Sequence, residues 1–377
     1  MLNSLEIHRF KGLSYCRLEN LSRVNLLVGK NNVGKSSLLE AISLLLTKGS
    51  MGWIIELLRN RGLSTSFGHE NENHSRMLRQ NIATLFTGRN ADEFSRIPIV
   101  ILAKETDKTQ RSLRLQLGYL VDDTYVDENG NKQRKRTFLR SDQIEDGTEY
   151  NPGICIEIDD KDWRHLPLMG YGMYAINAER NIEFVRPSST FSANNAKLFD
   201  RIAMTDMQHW LVKALQIIDP RIRDVNFLSD PLSIRTEFRA SGTGAGGERV
   251  PIVVLDDSPH RYPLRSMGDG VNRILTIVLS MLNCKGGTLL VDEFENGLHY
   301  TTLCQLWEII FQLAAQLDIQ VFVTSHSNDC IRSFIEADTE GEGTIMRLET
   351  RPEGIIGVPY ADRDELDYIN RNNVEIR

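Results

Sequence analysis

Residues 24–46 read VNLLVGKNNVGKSSLLEAISLLL, and their order decides the fold: an apolar run, a glycine loop, then apolar residues at helical spacing. Val24–Val28 reads as a strand covered on both faces, the kind found inside a parallel sheet. The loop matches GxxxxGK[ST] at Gly29, Gly34, Lys35 and Ser36. At average residue usage the pattern arises by accident in about one per cent of chains this long. Its place between a strand and a helix makes an accident rarer still. The glycines let backbone N–H groups converge on an anion, and the helix N-terminus adds partial positive charge at that point. Lys35 can reach β- and γ-phosphate oxygens, and Ser36 can offer its hydroxyl to Mg²⁺.

Working outward, GTLLVDEFENGLH (287–299) sets Asp292 and Glu293 at the end of a second apolar strand. Two adjacent acids there need a cation or hydrogen-bond donors, because burying bare charge is costly. Asp292 is assigned to the metal shell and Glu293 to polarising the attacking water. Alone, such a pair reads equally well as strand-end solvation; beside a phosphate loop it reads as chemistry. Ser266-Met267-Gly268-Asp269-Gly270 precedes an apolar helix, Val271 to Leu282. It offers a hydroxyl, small residues and a helix start to an anion, though a plain turn before a capped helix explains it about as well. His326 follows the apolar strand of VFVTSHS, where a hydrogen bond to a γ-phosphate is plausible beside the more common structural role.

Around these motifs the chain alternates strand and helix, which signals a mostly parallel sheet with helices packed on it. Leu5–Phe10 reads as a strand joined to Val24–Val28 by a polar turn. Residues 50–95 read as a helical insertion, 97–160 as a β-rich lobe with a hairpin at DENGNK, and 170–240 as a strand (GYGMYAIN) and a long, mostly helical run from Asn195 to Ile218. Residues 240–248, ASGTGAGGE, read as a mobile loop, and 250–377 as a final lobe with the serine-glycine segment, the acids and the histidine.

Composition excludes several classes. With 377 residues, 41% hydrophobic and 25% charged, the chain can bury a real core. A net charge of -7 does not announce a nucleic-acid binder; Lys132, Arg134, Lys135, Arg136 and Arg140 form the candidate basic patch, which reads also as a solvated hairpin arm. Five scattered cysteines without a CxxC pair point to reduced thiols in a cytoplasmic protein. The N-terminus lacks the pattern of a signal peptide, and no apolar stretch is long enough to span a bilayer.

The order GKNNVGKS, SMGDG, LLVDEFENGLH, VTSH, after the opening IHRFKGL, resembles the ABC-type ATPase heads of the SMC, RecF and OLD (overcoming lysogenization defect) proteins. The likeness is strongest to stand-alone OLD-like AAA family ATPases of prokaryotes, over residues 1–48 and 170–377 and including the end RDELDYINRNNVEIR. It implies one α/β head over 1–377: a mixed sheet flanked by helices, an antiparallel β lobe and a helical insertion. Gly29, Lys30, Asn31, Asn32, Val33, Gly34, Lys35, Ser36 and Ser37 would be Walker A. Leu289 to Glu293 would be Walker B, with Glu293 the catalytic carboxylate and Ser36 and Asp292 on Mg²⁺. Ser266, Gly268 and Gly270 would form the signature segment that contacts the γ-phosphate of ATP on a partner subunit. Glu295 to His299 would be the D-loop, His326 the switch histidine, and Phe10 and Lys11 would lie near the adenine. The glutamine loop is placed after Tyr174-Ala175-Ile176-Asn177. SMGDG departs from the transporter-type LSGGQ, which fits the OLD-like group and says little about substrate.

The resemblance thus implies an ATP-dependent homodimer, or a higher homo-oligomer, that hydrolyses MgATP. The 51 residues after His326 are too few for a Toprim nuclease, and Asp329, Glu336, Asp338 and Glu340 form no obvious metal set. The expectation is an ATPase sensor or scaffold working with a separate effector, a nuclease or toxin, as in Septu, PARIS and retron-type antiphage systems. The alternative is a RecF-like DNA-binding ATPase of repair or recombination. A small-molecule kinase fits the acids and the distal histidine less well.

Overall fold

A computed structural model describes residues 1–63, 72–88, 97–126, 132–144, 149–168, 181–187, 193–229 and 249–360. The chain forms two compact units, each assembled from separated stretches: Met1–Leu21, Asn31–Arg180 and Leu348–Val358 in the first, Ser22–Lys30, Asn181–Arg347 and Pro359–Arg377 in the second. The architecture is α/β, with mixed β-structure flanked by helices.

In the first unit, β1 (Leu2–Phe10) turns at Lys11-Gly12 into β2 (Leu13–Leu18). The two pair antiparallel, with Ile7 opposite Cys16 and Phe10 opposite Leu13. The expected polar turn after Phe10 is therefore corrected: LSYCRL is a strand, and its inward residues Leu13, Cys16 and Leu18 are buried. β4 (Ile99–Glu105), β5 (Gln110–Val126), β6 (Lys132–Leu139), β7 (Asn151–Ile158) and β8 (Asp162–Pro167) follow, with β16 (Gly354–Pro359) from the far end of the chain. Their order is β8-β7-β5-β4-β1-β2-β16, with β6 beside β5. β4 pairs directly with β1, Ile101 opposite Ile7. The strands of 97–160 pair antiparallel and continue from the N-terminal hairpin, with the alternating apolar residues Leu5 and Ile7, Ile99 and Ile101, and Leu113 and Leu115 all buried. α1 (Lys35–Leu46) packs on β1 and β5, and α3 (Glu72–Ala83) on β7, with α2 (Met51–Arg59) between them.

In the second unit, β3 (Val24–Val28), β9 (Ile182–Val185), β13 (Thr288–Val291), β14 (Gln320–Thr324) and β15 (Gly343–Arg351) are all parallel, in the order β15-β3-β14-β13-β9. Every residue of β3 is buried, as its apolar reading requires. The antiparallel strands β10 (Ile222–Ser229), β11 (Arg249–Leu255) and β12 (Arg261–Pro263) form a small second sheet. Helices α4 (Ala193–Ile202), α5 (Met207–Leu215), α6 (Asp269–Leu282), α7 (Tyr300–Gln316) and α8 (Asn328–Ala337) complete the unit. The mostly helical run expected from Asn195 to Ile218 consists of two helices. The break falls where Thr205 Oγ1 donates to the Ile202 carbonyl at 2.6 Å and the exposed Met204 takes φ 62°.

Glu183 on β9 is half-buried, and desolvation raises its carboxyl from 4.5 to about 7 against the pull of Arg201. The unfolded chain releases that proton first, so the stabilisation is full below about pH 4.5 and lost as pH rises through about 7. Relative to Glu183→Gln, the wild type should lose on the order of 2–3 kcal/mol between those limits. Parallel denaturant titrations at several pH values measure this; a constant gap between the two proteins would refute it.

Candidate functional site

The parallel register sets Leu290 beside Phe322 and Val291 beside Val323, which brings the next residues, Asp292 and Thr324, together at the C-terminal ends of β13 and β14. Thr324 Oγ1 donates to Asp292 Oδ1 at 2.6 Å and accepts the Glu293 N–H at 2.9 Å. Asp292 is buried; Glu293 is half-buried and takes φ 49°, a left-handed conformation that costs a non-glycine residue about 1–3 kcal/mol. The following residue holds it there. The Phe294 N–H donates to the Thr324 carbonyl at 3.0 Å, and its buried ring stacks on Trp307 of α7 at 4.3 Å. Trp307 in turn meets Phe334 of α8 edge-on at 4.9 Å, so the acidic turn is anchored to two helices.

Glu295, expected only within an interface loop, has a specific partner. Its Oε1 accepts the His326 backbone N–H at 2.9 Å and lies 3.0 Å from His326 Nδ1. The carboxylate is mostly buried and the imidazole half-exposed, so His326 is held by Nδ1 and leaves Nε2 as its other hydrogen-bonding atom. Asp292, Glu293, Glu295, Thr324 and His326 are therefore one cluster. Of these, the sequence reading gives Thr324 and Glu295 no chemical role.

The Ser266–Gly270 segment is a 3₁₀ turn (Leu264–Met267) leading into α6, whose start no side chain caps. Ser266 Oγ donates to the Pro263 carbonyl at 2.7 Å and is exposed. Gly268 has φ 101°, which favours glycine. Gly270 is required for a different reason: a Cβ there would lie 2.8 Å from the Gly297 carbonyl oxygen. The α6 start thus rests on the turn that follows the acids, within one chain.

The glycine loop carries the chain from the second unit (Gly29, Lys30) into the first (Asn31 onward). Gly29, Asn32 and Gly34 take φ 145°, 64° and 103°. A Cβ on Gly34 would meet Leu13 Cδ2 at 2.6 Å. α1 starts at Lys35 with no side-chain cap and no acid in its first turn, a helix N-terminus suited to a phosphate. Lys35 and Ser37 are half-buried, Ser36, Asn31 and Asn32 exposed, and Val33 buried. Phe10 is wholly buried, and the Lys11 ammonium pairs with Glu40 of α1, which also binds Arg61 at 2.9 Å.

Among the described residues no group of three His, Cys, Asp or Glu side chains could hold a metal alone. The buried Asp292 carboxylate suits one position in the shell of Mg²⁺, which keeps water and takes phosphate oxygens as its other ligands. In the basic arm, Arg136 is engaged by Asp122 at 2.8 Å and Arg140 lies 3.7 Å from Asp142. Asp338 accepts backbone N–H groups of Glu342 and Gly343 in a turn. The turn after 177 expected to hold the glutamine loop, the glycine-rich stretch 240–248 and the C-terminal 363–377 lie outside the described residues. All five cysteines are free; burial raises the Cys16 thiol to about 12 and Cys155 to about 11, which leaves both unreactive. No helix among the described residues is long and apolar enough to cross a membrane.

Thr324→Val keeps the shape of this site while removing the donor to Asp292 and the acceptor of the Glu293 N–H. It should destabilise the protein by about 2–4 kcal/mol, because both groups are left unpaired. Chemical denaturation checks this; a loss below about 0.5 kcal/mol would mean the bridge is idle.

Residues 1–162 match the family model described as AAA ATPase domain. Residues 183–330 match a second, described as "AAA domain, putative AbiEii toxin, Type IV TA system". The chain is 22% identical over 359 residues to an ATP/GTP phosphatase of Helicobacter pylori, covering 88% of this chain and 86% of that protein. It is 42% identical over 60 residues to an uncharacterized protein of Methanocaldococcus jannaschii, covering 16% of this chain and 27% of the other. Among solved structures, an Smc head bound to the C-winged helix domain of ScpA aligns over 97% of this chain and 99% of its own, with 11% identity and a TM-score of 0.47. An SMC head domain from Thermotoga maritima aligns over 96% and 99%, with 12% identity and a TM-score of 0.42. Both parts of the chain are thus similar to AAA-type ATPase domains, the P-loop class to which the glycine loop and the acidic strand end point.

Proposed function

We propose that the protein binds MgATP, hydrolyses it with Glu293 as general base, and dimerises around it. The observation that carries this reading is the cluster at the ends of β13 and β14: a buried Asp292, a Glu293 fixed by its backbone, and a His326 oriented by Glu295. Lys35 and the uncapped start of α1 grip the phosphates, and Ser36 and Asp292 share the Mg²⁺. The cation supplies charge neutralisation at the γ-phosphate. Ser266, Gly268 and the uncapped start of α6 contact the γ-phosphate of the partner's nucleotide, so ATP is an interfacial ligand whose hydrolysis releases the two copies. The name of the Helicobacter pylori relative, an ATP/GTP phosphatase, supports nucleotide hydrolysis.

In the cell, this ATPase acts as the sensor or scaffold of an antiphage system of the OLD-like kind, with a separate effector. The second family description, which names a toxin–antitoxin system, supports a role beside a second gene product. The RecF-like alternative has less support, because Arg136 of the basic arm is already neutralised by Asp122. Phosphate release together with light scattering, with and without MgATP, tests the reading. A protein that releases no phosphate and keeps one mass under all conditions would end it. Salt-dependent DNA binding by the ATP-bound protein would favour the RecF-like alternative.

A further inference from the structure

Arg273 lies on α6, three residues beyond Gly270, in a helix whose neighbouring positions Val271, Ile274 and Leu275 are buried and apolar. An arginine on such a helix ordinarily reaches water, yet this one is 5% exposed. Three backbone carbonyls keep it inside. Nη1 donates to the Arg186 carbonyl at 2.6 Å, and Nη2 donates to those of Asp292 at 2.7 Å and Glu293 at 3.0 Å. Burial draws the guanidinium below its usual range, opposed by Asp292, Glu293 and Glu295, and an arginine remains charged throughout.

The placement of these bonds is informative. The Glu293 peptide is held on both sides: its N–H by Thr324 Oγ1 and its carbonyl by Arg273. A residue at φ 49° without a glycine's freedom persists only where its surroundings fix it from several directions. Arg273 also rides on the helix whose first turn rests, at Gly270, on the Gly297 carbonyl. A displacement of the α6 start therefore carries the guanidinium, and with it the carbonyl of the acidic residue. We propose that Arg273 is a positioning residue for hydrolysis: it fixes the backbone of Glu293 so that its carboxylate is aimed, and it ties that aim to the seating of the Ser266–Gly270 helix start. This rests on Glu293 being the general base.

Single-turnover ATP hydrolysis by the full chain tests the proposal, using Arg273→Lys and Arg273→Gln, alone and combined with Glu293→Gln. Either replacement can donate into the same space, but neither spans three carbonyls. Each single variant should hydrolyse ATP about 10- to 100-fold more slowly, with ATP affinity unchanged within about twofold. In the Glu293→Gln background, the same replacement should slow the residual rate by less than about twofold, because the group it acts through is already lost. An equal fold loss in both backgrounds, or wild-type rates in a folded single variant, would overturn the proposal. Loss of folding in both variants would overturn it too, since Arg273 would then be holding the domain rather than the carboxylate. A wild-type protein without ATPase activity, or a Glu293→Gln variant at the wild-type rate, defeats the underlying reading instead, and is seen before any Arg273 variant is made.

Discussion

Glu293→Gln is expected to bind ATP as the wild type does, to hydrolyse it about 10²–10⁴-fold more slowly, and to accumulate as a dimer when MgATP is present. The replacement is nearly isosteric. Thr324 and Arg273 hold this residue by its N–H and its carbonyl, which an amide side chain leaves untouched. The fold should therefore be preserved within about 0.5 kcal/mol, and the phosphate grip at Lys35 with it. What disappears is the capacity to accept a proton from water. If ATP is the ligand that joins two copies, an enzyme that cannot cleave it stays joined, and the dimer fraction rises with nucleotide concentration by mass action. Sedimentation or light scattering with ATP, beside a phosphate-release assay, reads both effects. A variant that retains more than about a tenth of the wild-type rate would remove Glu293 from the role of base, since general-base catalysis is worth at least about 10².

The parts of this molecule that could be read in the sequence are those whose signal is local. Val24–Val28, the glycine loop and the helix after it follow one another within 23 residues, and each is specified by its own composition. Asp292 and Glu293 are visible because two acids end an apolar strand. β2 escapes notice because Ser14, Tyr15 and Arg17 make LSYCRL look polar, although its apolar positions alternate as a strand requires. The pairing of β4 with β1 joins segments about a hundred residues apart, and nothing local records it. Arg273 and Glu295 are harder still. Charged residues in helices and turns are solvated far more often than buried, and only the carbonyls of residues 186, 292 and 293, or the backbone of His326, give these two a reason to be inside. Phe10 shows the converse. Its place in the opening motif marks it as near the expected nucleotide, and nothing local says that its side chain lies wholly in the core.

Lys35→Ala should weaken ATP binding by about 3 kcal/mol, a factor of about 100, because an ammonium bound to phosphate oxygens is lost. The sign of its effect on the nucleotide-free protein separates function from structure. Lys35 is the first residue of α1, where the helix dipole is positive and a cation is unfavourable by about 0.3–1 kcal/mol. No acid occupies the first turn to offset it. Alanine is also the better helix former, so both of these helix terms favour the variant without nucleotide. A lysine retained at a helix start for packing would give the opposite result. With ATP added, the wild type should gain thermal stability according to its affinity, and the variant should gain almost none at the same concentration. Melting curves of both proteins across an ATP titration measure all of this at once. An undiminished ATP-induced shift in Lys35→Ala would show that the phosphates are not held at this loop.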